Sequence, residues 1–156
     1  MPIDQSEIQF RLASIEDVPE MVSLLAEDVL GAQRESLEVS ARTEYEWAFR
    51  KMCTQSCNQM LLALRGEEIV GMLQLTVIYG LSHQGTTRAQ IEAVRVKRGV
   101  RSQGVGKRLF EEAFSISKQA GCSLVQLTTD RRREDAVRFY ESLGFEPTHF
   151  GMKLAI

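Results

Sequence analysis

The run Val94-Arg95-Val96-Lys97-Arg98-Gly99-Val100-Arg101-Ser102-Gln103-Gly104-Val105-Gly106-Lys107-Arg108-Leu109 joins a strand-like stretch, a basic glycine-containing turn and the start of a helix-like stretch. That order suits an anion. The first backbone N–H groups of a helix lack internal partners, and aligned peptide dipoles place about half a positive charge at that end. A diphosphate satisfies both needs. Gly104 and Gly106 have no side chain to hold a ligand off the backbone, while Arg95, Lys97, Arg98, Arg101, Lys107 and Arg108 raise the local positive potential. The competing reading is a capped helix with a solvated basic face.

Two common phosphate motifs fail by position. A Walker A loop ending at Gly106-Lys107 would want Gly at Arg101 and Ser or Thr at Arg108. A dinucleotide loop starting at Gly104 would want Gly or Ala at Leu109, inside a βαβ pattern that is lacking here. Upstream of the turn, Glu92 lies in Gln90-Ile91-Glu92-Ala93-Val94, where apolar neighbours predict a partly desolvated carboxylate with a raised pKa. Such a group is a candidate general base for an amine, directly or through water. Its competing reading is a structural ion pair with Arg88 or Arg95.

The elements that must position these groups follow from periodicity. Ile8, Phe10 and Leu12 alternate as a strand, and Ser14 with Asp17 reads as a capping box opening a helix. That helix carries Val18, Met21, Val22, Leu25 and Val29 on one face and is expected to end at Gly31 as a left-handed cap. Tyr45, Ala48, Phe49 and Met52 predict a second helix. Met60 to Leu64 and Ile69 to Ile78 predict a hairpin around Arg65 to Glu68. After a loop from Gly80 to Gly85, Arg88 to Val96 reads as a strand and Gly104 to Ala120 as a helix closed by Gly121. Leu124 to Thr129 (strand), Glu134 to Leu143 (helix, stopped by Gly144) and Phe150 to Ile156 (closing strand) complete the order βααβββαβαβ, with room for a short strand near Glu146. One domain over residues 1–156 is expected, with an α/β (or α+β) mixed sheet flanked by helices.

A net charge of -2 gives no overall attraction to nucleic acid or anionic membrane. Arg131-Arg132-Arg133 lacks interleaved aromatics and is followed by Glu134-Asp135, so it reads as a solvated turn. Neither a signal peptide nor a bilayer-length apolar run is visible, which predicts a cytoplasmic protein without membrane or nucleic-acid partners. Cys53, Cys57 and Cys122, with only His83 and His149 to help, lack metal-ligand spacing, and no metal is expected.

The segment Arg101-Ser102-Gln103-Gly104-Val105-Gly106 matches the pyrophosphate loop of the GNAT superfamily of N-acetyltransferases, Gln/Arg-x-x-Gly-x-Gly/Ala, at every specified position. The order of elements, the strand ending Val94-Arg95-Val96, and the later Ala136-x-x-x-Tyr140-x-x-x-Gly144-Phe145 fit the same family, so the chain resembles it over nearly its whole length.

The resemblance implies a mostly antiparallel central sheet, splayed between its fourth and fifth strands and flanked by about four helices, with acetyl-CoA as acyl donor. It assigns the cofactor to Val94, Arg95, Val96, Arg101, Ser102, Gln103, Gly104, Val105, Gly106 and Lys107. Pantetheine would lie along the backbone of Val94 and Val96, with the Val94 N–H as oxyanion donor. Tyr140 becomes the general acid near the cofactor sulfur, beside Glu92 as base. Arg133 stands where many members have Asn, with a cofactor phosphate as its substitute contact. Segment 31–35 and Gln126, Thr128 and Thr129 become weak candidates for the acceptor site. The implied activity is acetyl transfer to a primary amine of a small molecule or peptide by direct attack in a ternary complex, in a chain that admits a homodimer. The alternatives are a non-catalytic acyl-CoA sensor and a nucleic-acid-binding protein.

Overall fold

A computed structural model describes residues 8–156. Five strands form one sheet in the order β1 (Ile8–Leu12), β2 (Asn58–Arg65), β3 (Glu68–Tyr79), β4 (Thr87–Val96) and β5 (Leu124–Leu127). The first three pairings are antiparallel and the last is parallel. Strand alternation divides the apolar residues between two faces. On one, Leu61, Ala63, Val70, Leu73, Leu75, Ala89 and Ile91 pack under Val105, Leu109, Phe110 and Ala113 of α5 (Val105–Gln119). On the other, Leu62, Leu64, Ile69 and Met72 meet Val18, Met21, Val22 and Leu24 of α1 (Val18–Ala26) and Phe49 of α3 (Arg42–Cys53).

The helix punctuation has local causes. Ser14 opens the first helical segment by donating its backbone N–H to Asp17 at 2.7 Å. Burial opposes ionisation of Asp17, but the Arg11 guanidinium hydrogen-bonds it and is the largest influence, holding the carboxyl down at about 2. α5 and α6 (Glu134–Ser142) end in the same way, on Gly121 and Gly144 at φ 80° and 92°. In each, the residue after the glycine closes back onto the last turn: Cys122 N to Ser117 O at 2.9 Å, and Phe145 N to Tyr140 O at 3.1 Å.

Three expectations are corrected. Gly31 is not a left-handed cap. The first helix breaks at Glu27-Asp28, and Gly31 sits inside a separate turn, α2 (Val29–Ala32), whose N-cap Asp28 accepts from Gly31 N at 2.6 Å. A Cβ there would lie 1.9 Å from the Leu25 carbonyl oxygen, so close approach, not positive φ, requires the glycine. The Gly80 to Gly85 loop contains one turn, α4 (Ser82–Gly85), with His83 and Gln84 left-handed. Phe150 to Ile156 is not a strand, and none forms near Glu146. Phe150, Met152, Leu154 and Ile156 are each at least 88% exposed. Alternation makes a strand only where a neighbour takes the backbone hydrogen bonds, and residues 149–156 make none among the described residues. No helix among the described residues is long and apolar enough to cross a membrane.

Candidate active site

The turn between β4 and α5 is built from the backbone outward. Gly104, the N-cap of α5, has φ 86°, and Ser102 is also left-handed at φ 61°. Among the described residues, the successive N–H groups of Ser102 to Lys107 have no hydrogen-bond partner. Val105, Gly106 and Lys107 are helix-start donors, which a helix cannot satisfy internally. A Cβ on Gly106 would sit 3.1 Å from Phe139 Cζ and 3.6 Å from Val96 Cγ2, so glycine lets α5 close on both β4 and α6.

Much of the expected cationic side-chain potential is spent on bracing the turn. Arg98 donates its backbone N to Glu27 Oε2 at 2.9 Å and Nη2 to Glu27 O at 2.8 Å. Arg101 donates Nε to Val96 O at 3.0 Å and lies 3.7 Å from Glu27. Lys97 pairs with Glu68 at 2.6 Å. Gln103 Nε2 reaches Gly99 O at 3.1 Å. Of the turn's donors, those left without a partner among the described residues are the backbone amides and the buried Nη1 of Arg108, whose guanidinium lies over the Phe10 ring, with Lys107 exposed beside them and 3.9 Å from Glu111.

Next to the turn the sheet parts. The β4–β5 ladder runs from Arg88↔Leu124 to Ile91↔Leu127 and stops, while β4 continues to Val96. The backbone of Glu92 to Val96 therefore has an open edge on the β5 side. Within that edge lies a bulge: Gln74 faces Glu92 and Met72 faces Arg95, so Ala93 and Val94 together oppose Leu73, with Ala93 at φ 52°. The bulge shifts the alternation by one residue. Val94 and Val96 pack toward the α5 core, and Glu92 and Arg95 share the opposite face, toward α1.

This placement divides the predicted site residues. Val94, Val96 and Ser102 to Lys107 line one continuous path along the open edge and the helix start. Arg95 does not join them. Its Nη1 donates to Val94 O at 2.8 Å, and its buried Nε has no partner among the described residues. Glu92 is exposed and forms no ion pair among the described residues, with Arg88 and Arg95 included. The expected desolvation is absent, because Glu92 stands at the point where the ladder to β5 has ended.

Tyr140 lies under the cleft from α6, with ring centroids 5.7 Å from Phe110, 5.6 Å from Phe139 and 6.1 Å from Phe145. Burial raises its phenol above the ordinary value, against the opposing pull of the Arg95 and Arg133 charges. Arg133 donates both terminal nitrogens to Asp28, Nη2 at 3.2 Å. Burial alone would raise the Asp28 carboxyl, but hydrogen bonds from Arg133 and Gly31 and the charge of Arg95 bring it below its ordinary value. Of the weaker candidates, Gln126 is engaged with Gln90 at 2.7 Å, and Thr128 and Thr129 are exposed.

Asp28 was missed by the periodicity reading, which ran the first helix through to Val29. The spacing Asp28-x-x-Gly31, a side-chain acceptor three residues before a glycine N–H, was the signal for it. Among the described residues no group of three or more His, Cys, Asp or Glu is gathered to hold a metal.

The family model "Acetyltransferase (GNAT) family" matches residues 26–145, which takes in the turn, the open edge and α6. The chain belongs to the GNAT acetyltransferase family. Its fold is similar to that of a Bacillus halodurans C-125 protein named a transcriptional regulator, with TM-score 0.91 and 44% identity, covering 96% of this chain and 99% of that one. In sequence it is 36% identical over 95 residues to an aminoalkylphosphonate N-acetyltransferase of Salmonella typhimurium, 61% of each chain. It is 34% identical over 86 residues to a glucosamine 6-phosphate N-acetyltransferase of Trypanosoma brucei brucei, 55% of this chain and 56% of that one. The matched part thus spans about three fifths of the length of these two relatives.

Proposed function

We propose that this GNAT chain is an N-acetyltransferase that moves the acetyl group of acetyl-CoA onto a primary amine of a small molecule or peptide by direct attack in a ternary complex. The observation that carries the reading is the pairing of two open features at the two ends of one braced turn: the unpartnered amides of Ser102 to Lys107 and the open β4 edge at Val94 and Val96. A diphosphate fits the first part. An extended amide-bearing arm fits the second, as a missing strand fits a gap in a sheet. Acetyl-CoA, when bound, supplies the activated acetyl group.

The chain's own residues supply position and proton movement. The Val94 N–H, in the bulge and outside the regular ladder, is the donor assigned to polarise the acetyl carbonyl. Glu92, exposed on the acceptor face, takes a proton from the incoming ammonium through water, which suits a carboxylate at a solvent-facing rim. Tyr140 holds the proton destined for the departing sulfur. Holding two reactants in register contributes about 7–11 kcal/mol in good geometry, so these groups need not carry the whole rate enhancement.

Two relatives named above act on small amines, which supports a small-molecule acceptor first and a peptide second. The test is release of free thiol from acetyl-CoA with a panel of amines. Turnover with any primary amine is expected. Calorimetric binding of CoA without turnover on any amine would favour a non-catalytic acyl-CoA sensor, and a lack of CoA binding would overturn both readings.

A further inference from the structure

The mouth of the cleft carries more positive charge than its surroundings neutralise. Arg95 is half-buried, with its Nε sealed from solvent and unpartnered among the described residues and its Nη1 on a neutral carbonyl. Arg133 is paired with Asp28, whose carboxylate is also taken by the N–H of Gly31. Arg34, two residues past the end of α2, donates its Nε to Leu30 O at 3.1 Å and has no carboxylate partner among the described residues. Asp28 hydrogen-bonds only Arg133 of the three guanidinium groups, and burial together with the neighbouring charges of Arg133 and Arg34 disfavours the cation on Arg95 despite the charge of Asp28. A half-buried cation with no directly bonded carboxylate is a good receptor for an anion that comes with a ligand.

The face on which this charge stands decides which ligand. The bulge at Ala93 turns Val94 and Val96 toward α5 and the diphosphate turn, and turns Arg95 the other way, onto the face it shares with Glu92. Arg95 is therefore aimed at the amine's side of the edge and away from the cofactor turn. Asp28 follows directly on α1, which packs on the Glu92 face of the sheet, and the charges of both Asp28 and Arg34 act on Arg95.

We infer that Arg95, with Arg34 and the Asp28-held Arg133, forms an anion subsite for the acceptor, so that the preferred substrate is a small amine carrying a phosphonate, phosphate or carboxylate group. The inference rests on the amine-acetyltransferase reading. Arg95 supplies a planar fork of donors that matches a tetrahedral or planar oxyanion, Arg133 is oriented by Asp28, and Glu92 stands on the same face for the amine end of the same molecule. The subsite is a specificity device, since it holds the end of the acceptor that does not react.

The experiment compares kcat/KM for 2-aminoethylphosphonate, β-alanine and propylamine in the intact chain and in Arg95→Gln, Arg95→Lys and Arg34→Gln. An anionic amine is expected to exceed propylamine by about ten- to a hundred-fold, the size of one or two charge-assisted hydrogen bonds. The ratio should fall toward one in Arg95→Gln, partly recover in Arg95→Lys, and fall less in Arg34→Gln. The arm with the larger ratio names the anion. A ratio near one in the unmodified chain, or a ratio kept in a folded Arg95→Gln, would overturn the subsite while leaving the acetyltransferase reading intact. If no amine turns over, titration of ethylphosphonate and propionate into the CoA-loaded protein decides. Heat that disappears in Arg95→Gln upholds the subsite, and no heat from either removes it.

Discussion

Arg133, in the turn after β5, reaches across the cleft mouth to Asp28, the residue that caps α2, and donates to both of its carboxylate oxygens. Both side chains are less than a quarter exposed. Removal of Asp28 leaves a half-buried guanidinium without its counter-ion and uncaps α2. Asp28→Ala should therefore cost about 1–3 kcal/mol, read as a lower urea midpoint with an unchanged slope. The double variant Asp28→Ala/Arg133→Ala should lose less than the sum of the single losses, because the orphaned charge is gone.

Gly104, the N-cap of α5, lies at φ 86° within the run of free amides. A β-branched residue in that conformation meets its own carbonyl, and the same side chain would stand among the free amides. Gly104→Val should lower stability by about 1–2 kcal/mol and raise the dissociation constant for CoA at least about ten-fold. Thermal melting and calorimetric titration check the two effects separately.

Glu92→Gln isolates the proposed base. The exposed side chain makes no ion pair among the described residues, so the substitution should leave the melting temperature and CoA binding as they were. Loss of a general base should lower kcat about 10²-fold or more. Full activity in this variant would remove Glu92 from the chemistry and leave positioning by the β4 edge as the main source of rate.

Element types could be read wherever one residue carried its own reason. Gly121 and Gly144 marked helix ends because only a left-handed residue closes those turns, and Gly104 marked the start of α5, where it is the left-handed N-cap. The bulge at Ala93 had no such marker. An alanine at φ 52° is imposed by the pairing of β3 with β4, and it turns Arg95, expected beside the cofactor, onto the opposite face of the strand from Val94 and Val96. Asp28 was hidden for a related reason, since its neighbours continued an apolar helical stripe across a break made by its own side chain. The alternation of Phe150, Met152, Leu154 and Ile156 describes what those residues could pair as, and pairing depends on an edge that lies outside the segment.

Asp17 offers a pH-dependent check on the first helical entry. Its carboxyl, held at about 2 chiefly by Arg11, sits below the ordinary 3.8. A depressed carboxyl contributes stability that is fully present above the ordinary value and is lost as pH falls through the lowered one. Arg11 is 44% exposed, so screening reduces the contribution to about 1 kcal/mol. Urea midpoints of the unmodified chain and Asp17→Asn should differ at pH 5 and converge toward pH 2.

Tyr140 separates packing from proton transfer, because Phe keeps the ring among Phe110, Phe139 and Phe145 and removes only the hydroxyl. If the phenol delivers the proton to the departing sulfur, only its protonated form works. Burial raises the phenol, so that form persists past pH 10, and kcat should stay level through neutral pH and decline only above that value. Tyr140→Phe should lower kcat about 10²-fold and abolish the alkaline decline, with the KM for acetyl-CoA nearly unchanged. Thiol release followed from neutral pH to well above the ordinary phenol value reads both effects. A variant with unmodified kcat and the same alkaline limb would assign Tyr140 to the aromatic core alone and leave protonation of the thiolate to solvent.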